Sequence, residues 1–293
     1  MNSMLSELHA RIASLLPDSI YLRLVYPRII GRPLHLRHPV TLNEKTNWLK
    51  LHDRRPVYRI MADKLKAKQF VADKVGSQFV VPLLGSWDKF DEIPFDSLPD
   101  KFVLKTNHDS GGVVVCRDKA TLDMKAARRK LEKSLARDYF RQFREWAYKG
   151  MPRKILAEEF LEPPDGGELV DYKVFTFNGK AKLAFAATNR QGPGDVLMNF
   201  YDRDWNSIPV ARLHARNPVE TPKPAGWETM IRLAETFGKD MYLLRTDCYQ
   251  VGDRVYVGEL TIYPSGGIDP FDPESYDTLF GSWLKLPCDR PDN

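Results

Sequence analysis

The sequence predicts an α+β protein with antiparallel sheets, and three observations carry that expectation. Apolar residues recur at helical spacing through roughly the first 75 residues. From residue 79 onward, short β-branched and aromatic runs take over, most of them joined as hairpins. The regular strand–helix alternation of a doubly wound parallel sheet is missing, and so are internal repeats and low-complexity segments.

Taken in order, Leu5, Leu8, Ile12, Leu15 and Leu16 fall at helical spacing, and Pro17-Asp18 ends that run. Another apolar stretch runs from Tyr21 to Ile30. Two readings fit this lobe: helices packed on the core, or an amphipathic segment against a membrane or partner. Its polar face is not strongly basic, which disfavours insertion. Thr41-Leu42-Asn43-Glu44 has the capping-box pattern, so a helix is expected through Leu51. Residues 58–75, rich in lysine, read as a further helix, and residues 79–85 as a strand and turn. Strands at 102–105 and 113–116 flank a Gly-rich loop, a hairpin signal. Residues 121–147 read as helical and 155–161 as a strand. Strands at 171–177 and 182–187 meet across Asn178-Gly179. An amphipathic helix is expected at 227–239, strands at 242–249 and 254–261 around Gly252-Asp253, and a short helix at 275–284.

Composition narrows the function. A length of 293 residues fits two domains or one large domain with lobes, and 43% apolar residues suffice for a sizeable core. The net charge of +5 is spread over a mixed surface. It fits ordinary solvation or a modest attraction to anions such as nucleotides, sugar acids or lipid headgroups. No basic block with interleaved aromatics forms a nucleic-acid groove. Cys116, Cys248 and Cys288 are far apart and form no CxxC pair, which points to a reducing compartment rather than a disulfide framework. His35 and His38 lack the partners of a zinc site. No apolar run reaches the roughly 18 residues of a membrane span. The N-terminus lacks a signal-peptide pattern, so a cytoplasmic location is expected.

Four segments carry chemistry. Lys105-Thr-Asn-His-Asp-Ser-Gly-Gly112 puts a lysine at the end of a buried strand before a flexible, Gly-rich loop. That suits phosphate, with a long hairpin turn as the alternative. Arg245 and Asp247 share a strand face, and a Gly252-Asp253 hairpin brings Glu259 near Asp247. Two converging carboxylates call for a cation, and magnesium takes such oxygens together with phosphates; a solvated hairpin is the alternative. Asp171 and Lys173 share a face, as a surface ion pair or as a second phosphate contact. Glu158-Glu159-Phe160-Leu161 ends a strand, with Glu162 and Asp165 adding negative charge, and alone implies little.

The ordered series Lys105…Ser110-Gly111-Gly112, Ile-Leu-Ala-Glu-Glu-Phe-Leu, Asp-Tyr-Lys-Val-Phe-Thr-Phe-Asn-Gly-Lys, Arg-Thr-Asp-Cys-Tyr and Gly-Glu-Leu-Thr-Ile-Tyr-Pro-Ser-Gly-Gly resembles the TupA-like ATP-grasp proteins of polysaccharide gene clusters. The likeness spans about residues 40–286. It implies an ATP-grasp fold whose two lobes clasp ATP between antiparallel sheets. The expected organisation is a helical N-terminal region (1–75), a lid or small lobe (76–157) and a C-terminal lobe with the metal site (158–293). By the resemblance, Lys105 holds the α-phosphate side, and Ser110, Gly111 and Gly112 form the lid loop. Glu158, Glu159, Phe160 and Leu161 line the adenine. Lys173 touches phosphate, Arg245 steadies the transferring group, and Asp247 and Glu259 ligate magnesium. Thr261 stands where many ATP-grasp enzymes have a metal-binding Asn, which puts a second magnesium in question unless Ser265 helps.

The activity implied is an ATP- and Mg-dependent carboxylate–amine ligase working through an acyl phosphate. Its substrates would be an amino acid and a uronic acid or peptide acceptor, in cell-surface polysaccharide or capsule biosynthesis. Peripheral association with a membrane-bound glycan assembly is compatible with this; nucleic acid is not an expected partner. Some relatives carry a glycosyltransferase label, and Asp202-Arg203-Asp204 has the DxD form such enzymes use. A phosphotransferase acting on a glycan hydroxyl is the other alternative.

Overall fold

A computed structural model describes residues 15–189 and 194–289. The helix expected near the N-terminus lies almost wholly outside the described residues. Four helices come first: α1 (Asp18–Ile30), α2 (Leu42–His52), α3 (Val57–Ala62) and α4 (Lys64–Val75). Helix α2 starts as its sequence dictates. Thr41 accepts from the Glu44 amide, and the Glu44 carboxylate accepts from the Thr41 amide. The single helix expected at 58–75 is two. Asp63 has an extended backbone between them, and its side chain caps α4 by accepting from the Leu65 and Lys66 amides.

A four-stranded antiparallel sheet follows, with β1 (Leu83–Trp87), β2 (Phe102–Thr106), β3 (Val113–Cys116) and β4 (Ile155–Glu159) in the order β1-β4-β2-β3. Helix α5 (Met124–Leu135) covers one face. There Ala127 and Leu131 meet Phe102, Leu104, Ile155 and Ala157 in a small core of their own. The long helix expected at 121–147 ends early. A short helix, α6 (Tyr139–Phe143), follows it, closing on Arg144 in the left-handed region at φ 56°.

The larger sheet has six antiparallel strands. These are β5 (Asp171–Phe177), β6 (Lys180–Thr188), β7 (Leu197–Asp202), β8 (Ser207–Ile208), β10 (Leu243–Val251) and β11 (Arg254–Thr261), in the order β11-β10-β5-β6-β7-β8. Helix α7 (Trp227–Gly238) seals one face with Trp227, Met230, Ile231, Leu233, Ala234 and Phe237. A two-stranded ribbon of β9 (Ala211–Arg212) and β12 (Phe271–Asp272) lies beside β7, and α8 (Ser275–Trp283) packs against α2. No helix of the described residues is long and apolar enough to cross a membrane.

Candidate active site

The two sheets face each other across a cleft of about 430 Å³, within the range of small-molecule sites. Its roof follows from strand alternation. On β2, Phe102 and Leu104 point into the small core, so Val103 and Lys105 face the cleft. On β3, Val113 pairs with Lys105 and Val115 with Val103, adding two apolar walls. On β4, Glu158 sits opposite Val103 and is buried, while Glu159, Phe160 and Leu161 continue the lining. Glu158 is not a solvated strand-end charge. Lys105 Nζ is 2.5 Å from one of its oxygens and Lys68 Nζ 2.7 Å from the other. Burial alone would raise its pKa, but the two lysines hold the carboxyl below the usual range.

The floor is set by register. Lys173 on β5 faces Asp247 on β10, and Asp247 faces Glu259 on β11, so three charged residues form one row across three strands. A bulge after Asp247 leaves Gly258 as the extra residue between Val257 and Glu259. A Cβ there would sit 2.5 Å from the Tyr249 ring, so any larger residue must push that ring aside. Arg245 lies two residues before Asp247 and grips it bidentately: Nε donates to Oδ1 at 2.6 Å and a terminal nitrogen to Oδ2 at 2.8 Å. Lys173 donates to Oδ2 as well and pairs with Asp171 at 2.8 Å. Burial opposes the Asp247 charge, yet Arg245 and Lys173 keep its pKa below the ordinary value. Asp171, Lys173, Asp247, Tyr249, Gly258 and Glu259 all line the cleft.

Of the residues read from sequence, Lys105, Ser110, Gly111, Glu158, Glu159, Phe160, Leu161, Lys173, Asp247 and Glu259 converge on this one space. Three stand outside its lining. Gly112 is packed so that a Cβ would lie 2.2 Å from both Thr106 Oγ1 and Ser134 Oγ. Thr261 Oγ1 accepts from Arg245 at 3.0 Å, and Arg245 itself stands behind Asp247. The 106–112 loop is largely fixed rather than flexible. Thr106, Asn107, His108 and Asp109 are buried, and Asn107 bonds Asp63, Pro152 and Lys154. Asp109 accepts from Thr106 and Ser134, which leaves Ser110 and Gly111 as the exposed tip.

Sequence reasoning missed Lys64 and Lys68. They lie one turn apart on α4, so they share a face. Lys64 Nζ bonds the Asp109 carbonyl at 2.5 Å and lies 3.6 Å from Glu259, and Lys68 reaches Glu158. The lysine spacing after the Asp63 cap was the available signal.

The donor set suits magnesium. Asp247 and Glu259 are hard oxygen donors in direct register, and Glu259 has only the long contact to Lys64 as an ion pair among the described residues. Among the described residues no group of three His, Cys, Asp or Glu side chains is placed to hold a metal. One or two carboxylates with substrate phosphates supplying the rest is the usual magnesium arrangement. The DxD segment is spent elsewhere: Asp202 accepts from the Asp204 and Asn206 amides and the Asn206 side chain, capping its own turn.

Comparison with known proteins places this cleft in a family. Three loosely similar solved structures are D-alanine–D-alanine ligases. One from Bacillus anthracis has 17% identity and a TM-score of 0.36, covering 69% of this chain and 56% of that one. The same enzyme complexed with ATP gives 15% and 0.41, covering 76% and 63%. The Helicobacter pylori ligase gives 12% and 0.42, covering 83% and 69%. The chain thus spans less than two thirds of the Bacillus anthracis structures, and such scores carry no weight for activity. No curated protein matches in sequence. The TupA-like ATPgrasp family profile matches residues 44–285, nearly the whole described chain. With the two antiparallel sheets and the shared cleft, this shows that the chain has the ATP-grasp fold and belongs to the TupA-like ATP-grasp family.

Proposed function

We propose that the protein is an ATP- and Mg-dependent ligase that joins a carboxylate to an amine through an acyl phosphate. One observation carries the reading: Lys105, Lys173, Asp247 and Glu259 face a single cleft between two antiparallel sheets. The apolar wall of Val103, Val113, Val115, Phe160 and Leu161 suits a purine. Lys105 on the roof and Lys173 on the floor suit the phosphates.

In this reaction a substrate carboxylate oxygen attacks the γ-phosphorus and ADP leaves. An amine nitrogen then attacks the acyl carbon, phosphate leaves, and the amine gives up a proton. Asp247 and Glu259 would hold magnesium, which neutralises phosphate charge when bound. The chain's own residues supply position and charge rather than a covalent nucleophile. Arg245, behind the lining and bonded to Asp247 and Thr261, holds the Asp247 carboxylate in place. Lys173, which lines the cleft and is tied to Asp171 and Asp247, presents the fixed positive charge to the transferring group.

The proposed substrates are an amino acid and a uronic acid or peptide acceptor, in the building of a cell-surface polysaccharide or capsule. A cytoplasmic protein that meets a membrane-bound glycan assembly at its periphery fits that role. The test is ADP release, with ATP and magnesium, screened over amino acids paired with uronic acids. Substrate-dependent ADP and free phosphate support the ligase. A stable phosphate ester instead identifies a phosphotransferase, and stabilisation by a UDP-sugar but not by ATP identifies a nucleotide-sugar enzyme.

A further inference from the structure

Helix α1 is apolar on two opposite faces. Leu22 and Tyr26, at most 1% exposed, pack inward with Leu34, Leu36 and Ile268. On the far side Ile20 and Leu24, one turn apart, stand 45% and 46% exposed. A helix apolar on both sides calls for a partner on each, and the described residues supply the inner one alone. The neighbourhood repeats the pattern. Of the twelve large apolar side chains exposed among the described residues, five fall within 15–40: Leu15, Ile20, Leu24, Ile29 and Val40. The others are scattered from Ile60 to Leu279.

The charge is as one-sided as the exposure. Between Ser19 and Asn43 the sequence has four arginines and no Asp or Glu. At helical spacing, Arg23 and Arg28 flank the Ile20–Leu24 stripe on either side, and both are exposed. No hydrogen bond or ion pair among the described residues reaches the guanidinium of Arg23 or Arg37. Beside the stripe, an open groove of about 610 Å³ is lined by Arg23, Arg37, Arg54, His52 and Trp48, with Asp18 as its one acid. That acid is neutralised by Arg54 at 3.0 Å and Arg144 at 3.4 Å. Arg23 belongs to both features, since it borders the stripe and lines the groove. Guanidiniums take phosphate oxygens in pairs, and apolar side chains beside them reach the acyl boundary. An exposed stripe edged by arginines, next to a cationic groove, is therefore complementary to anionic lipid. With cations on both edges of the stripe, the helix lies flat at headgroup level and does not insert.

We propose that α1 is a docking face for an anionic lipid surface, with Ile20 and Leu24 set among the headgroups and Arg23, Arg28 and Arg37 on their phosphates. This gives the peripheral membrane contact of the ligase reading a place on the protein, and rests on that reading only for the purpose of the contact. Lipid binding is measured without ATP, so the two fail separately.

The experiment follows flotation of the full chain with vesicles of phosphatidylcholine alone and of phosphatidylcholine mixed with phosphatidylglycerol. Wild type is expected to float with the anionic vesicles only, and added salt to release it. Ile20→Ser with Leu24→Ser, and Arg23→Gln with Arg37→Gln, each weaken the partition at least about tenfold. Arg129→Gln with Lys133→Gln removes the same charge from the exposed face of α5 and leaves the partition near the wild-type value. All three double variants keep the wild-type melting temperature. Vesicle binding that stands while no substrate stimulates ADP release sinks the ligase reading and keeps the docking face. The proposal is overturned if wild type ignores anionic vesicles or binds both compositions alike. It is overturned too if either α1 variant floats like wild type, or if the α5 variant loses as much, which makes net charge rather than this face the cause. A sharp fall in melting temperature for the serine variant means that the stripe is already packed and has the same consequence. So does a wild-type dimer, seen by light scattering, that the serine variant splits into monomers, because the face is then a contact between copies.

Discussion

The roof and floor of the cleft solve opposite electrostatic problems. On the roof, two lysines, Lys68 and Lys105, close on one buried carboxylate, Glu158, between the apolar walls of Val103, Val113 and Val115, with Glu159 at the rim. On the floor, three carboxylates, Asp171, Asp247 and Glu259, meet Lys173, Lys64 from α4 and, behind the lining, Arg245. The paired lysines above suit a polyphosphate, and the row of carboxylates below suits a divalent cation. A nucleotide phosphate with its metal satisfies both at once. The difference teaches that neither sheet is a binding site alone: the lysines come mostly from one side and the carboxylate row from the other.

Removing charge from the floor should do the most damage. Asp247→Asn leaves Arg245 and Lys173 buried without their shared anion and is expected to cost about 3–5 kcal/mol by denaturant unfolding. The sign with pH follows from the lowered folded-state pKa. The Asp247 contribution is present above its ordinary value of 3.8 and fades as pH falls from there through the folded value. The gap between wild type and Asp247→Asn should therefore narrow in acid; a gap that widens there contradicts the pairing. Glu259→Ala should lower kcat for ADP release by about a hundredfold to a thousandfold while the fold is kept. Full activity in that variant removes the floor from the chemistry.

Gly258→Ala tests the bulge that keeps Glu259 opposite Asp247. The clash with Tyr249 should cost about 1–3 kcal/mol and reduce ADP release along with stability. The smallest effect is expected on the roof. Lys105→Met should weaken ATP binding by about tenfold, read as a shifted midpoint in thermal stabilisation, with little change in ligand-free stability because Glu158 keeps Lys68. If the roof variant harms stability as much as Asp247→Asn does, the division between the walls is wrong.

The floor was largely legible in the sequence. Arg245-Thr246-Asp247 and Glu259 lie in alternating runs on either side of Gly252-Asp253, so strand period and turn chemistry together place them. What stayed hidden was set by tertiary context. Glu158 and Glu159 read alike, yet alternation on β4 buries one between lysines from α4 and β2 and leaves the other at the rim. The break at Asp63 went unseen because no proline or glycine marks it between Val57 and Val75. Strands β7, β8, β9 and β12 are short or lie in the Pro- and Asp-rich stretch, where local propensity is weak, so the far edge of the larger sheet gave little signal.

Helix α4 touches both walls. Lys68 reaches Glu158 above, Lys64 approaches Glu259 below, and the Asp63 cap holds Asn107 at the base of the Ser110–Gly111 tip. The helix is in effect a strut with one foot on each jaw. Widening the mouth for nucleotide entry must stretch or swap one of these contacts. Ligand exchange and the tilt of a single twelve-residue helix are therefore one motion, and a hydrogen-exchange signal in 64–75 should rise and fall with nucleotide occupancy.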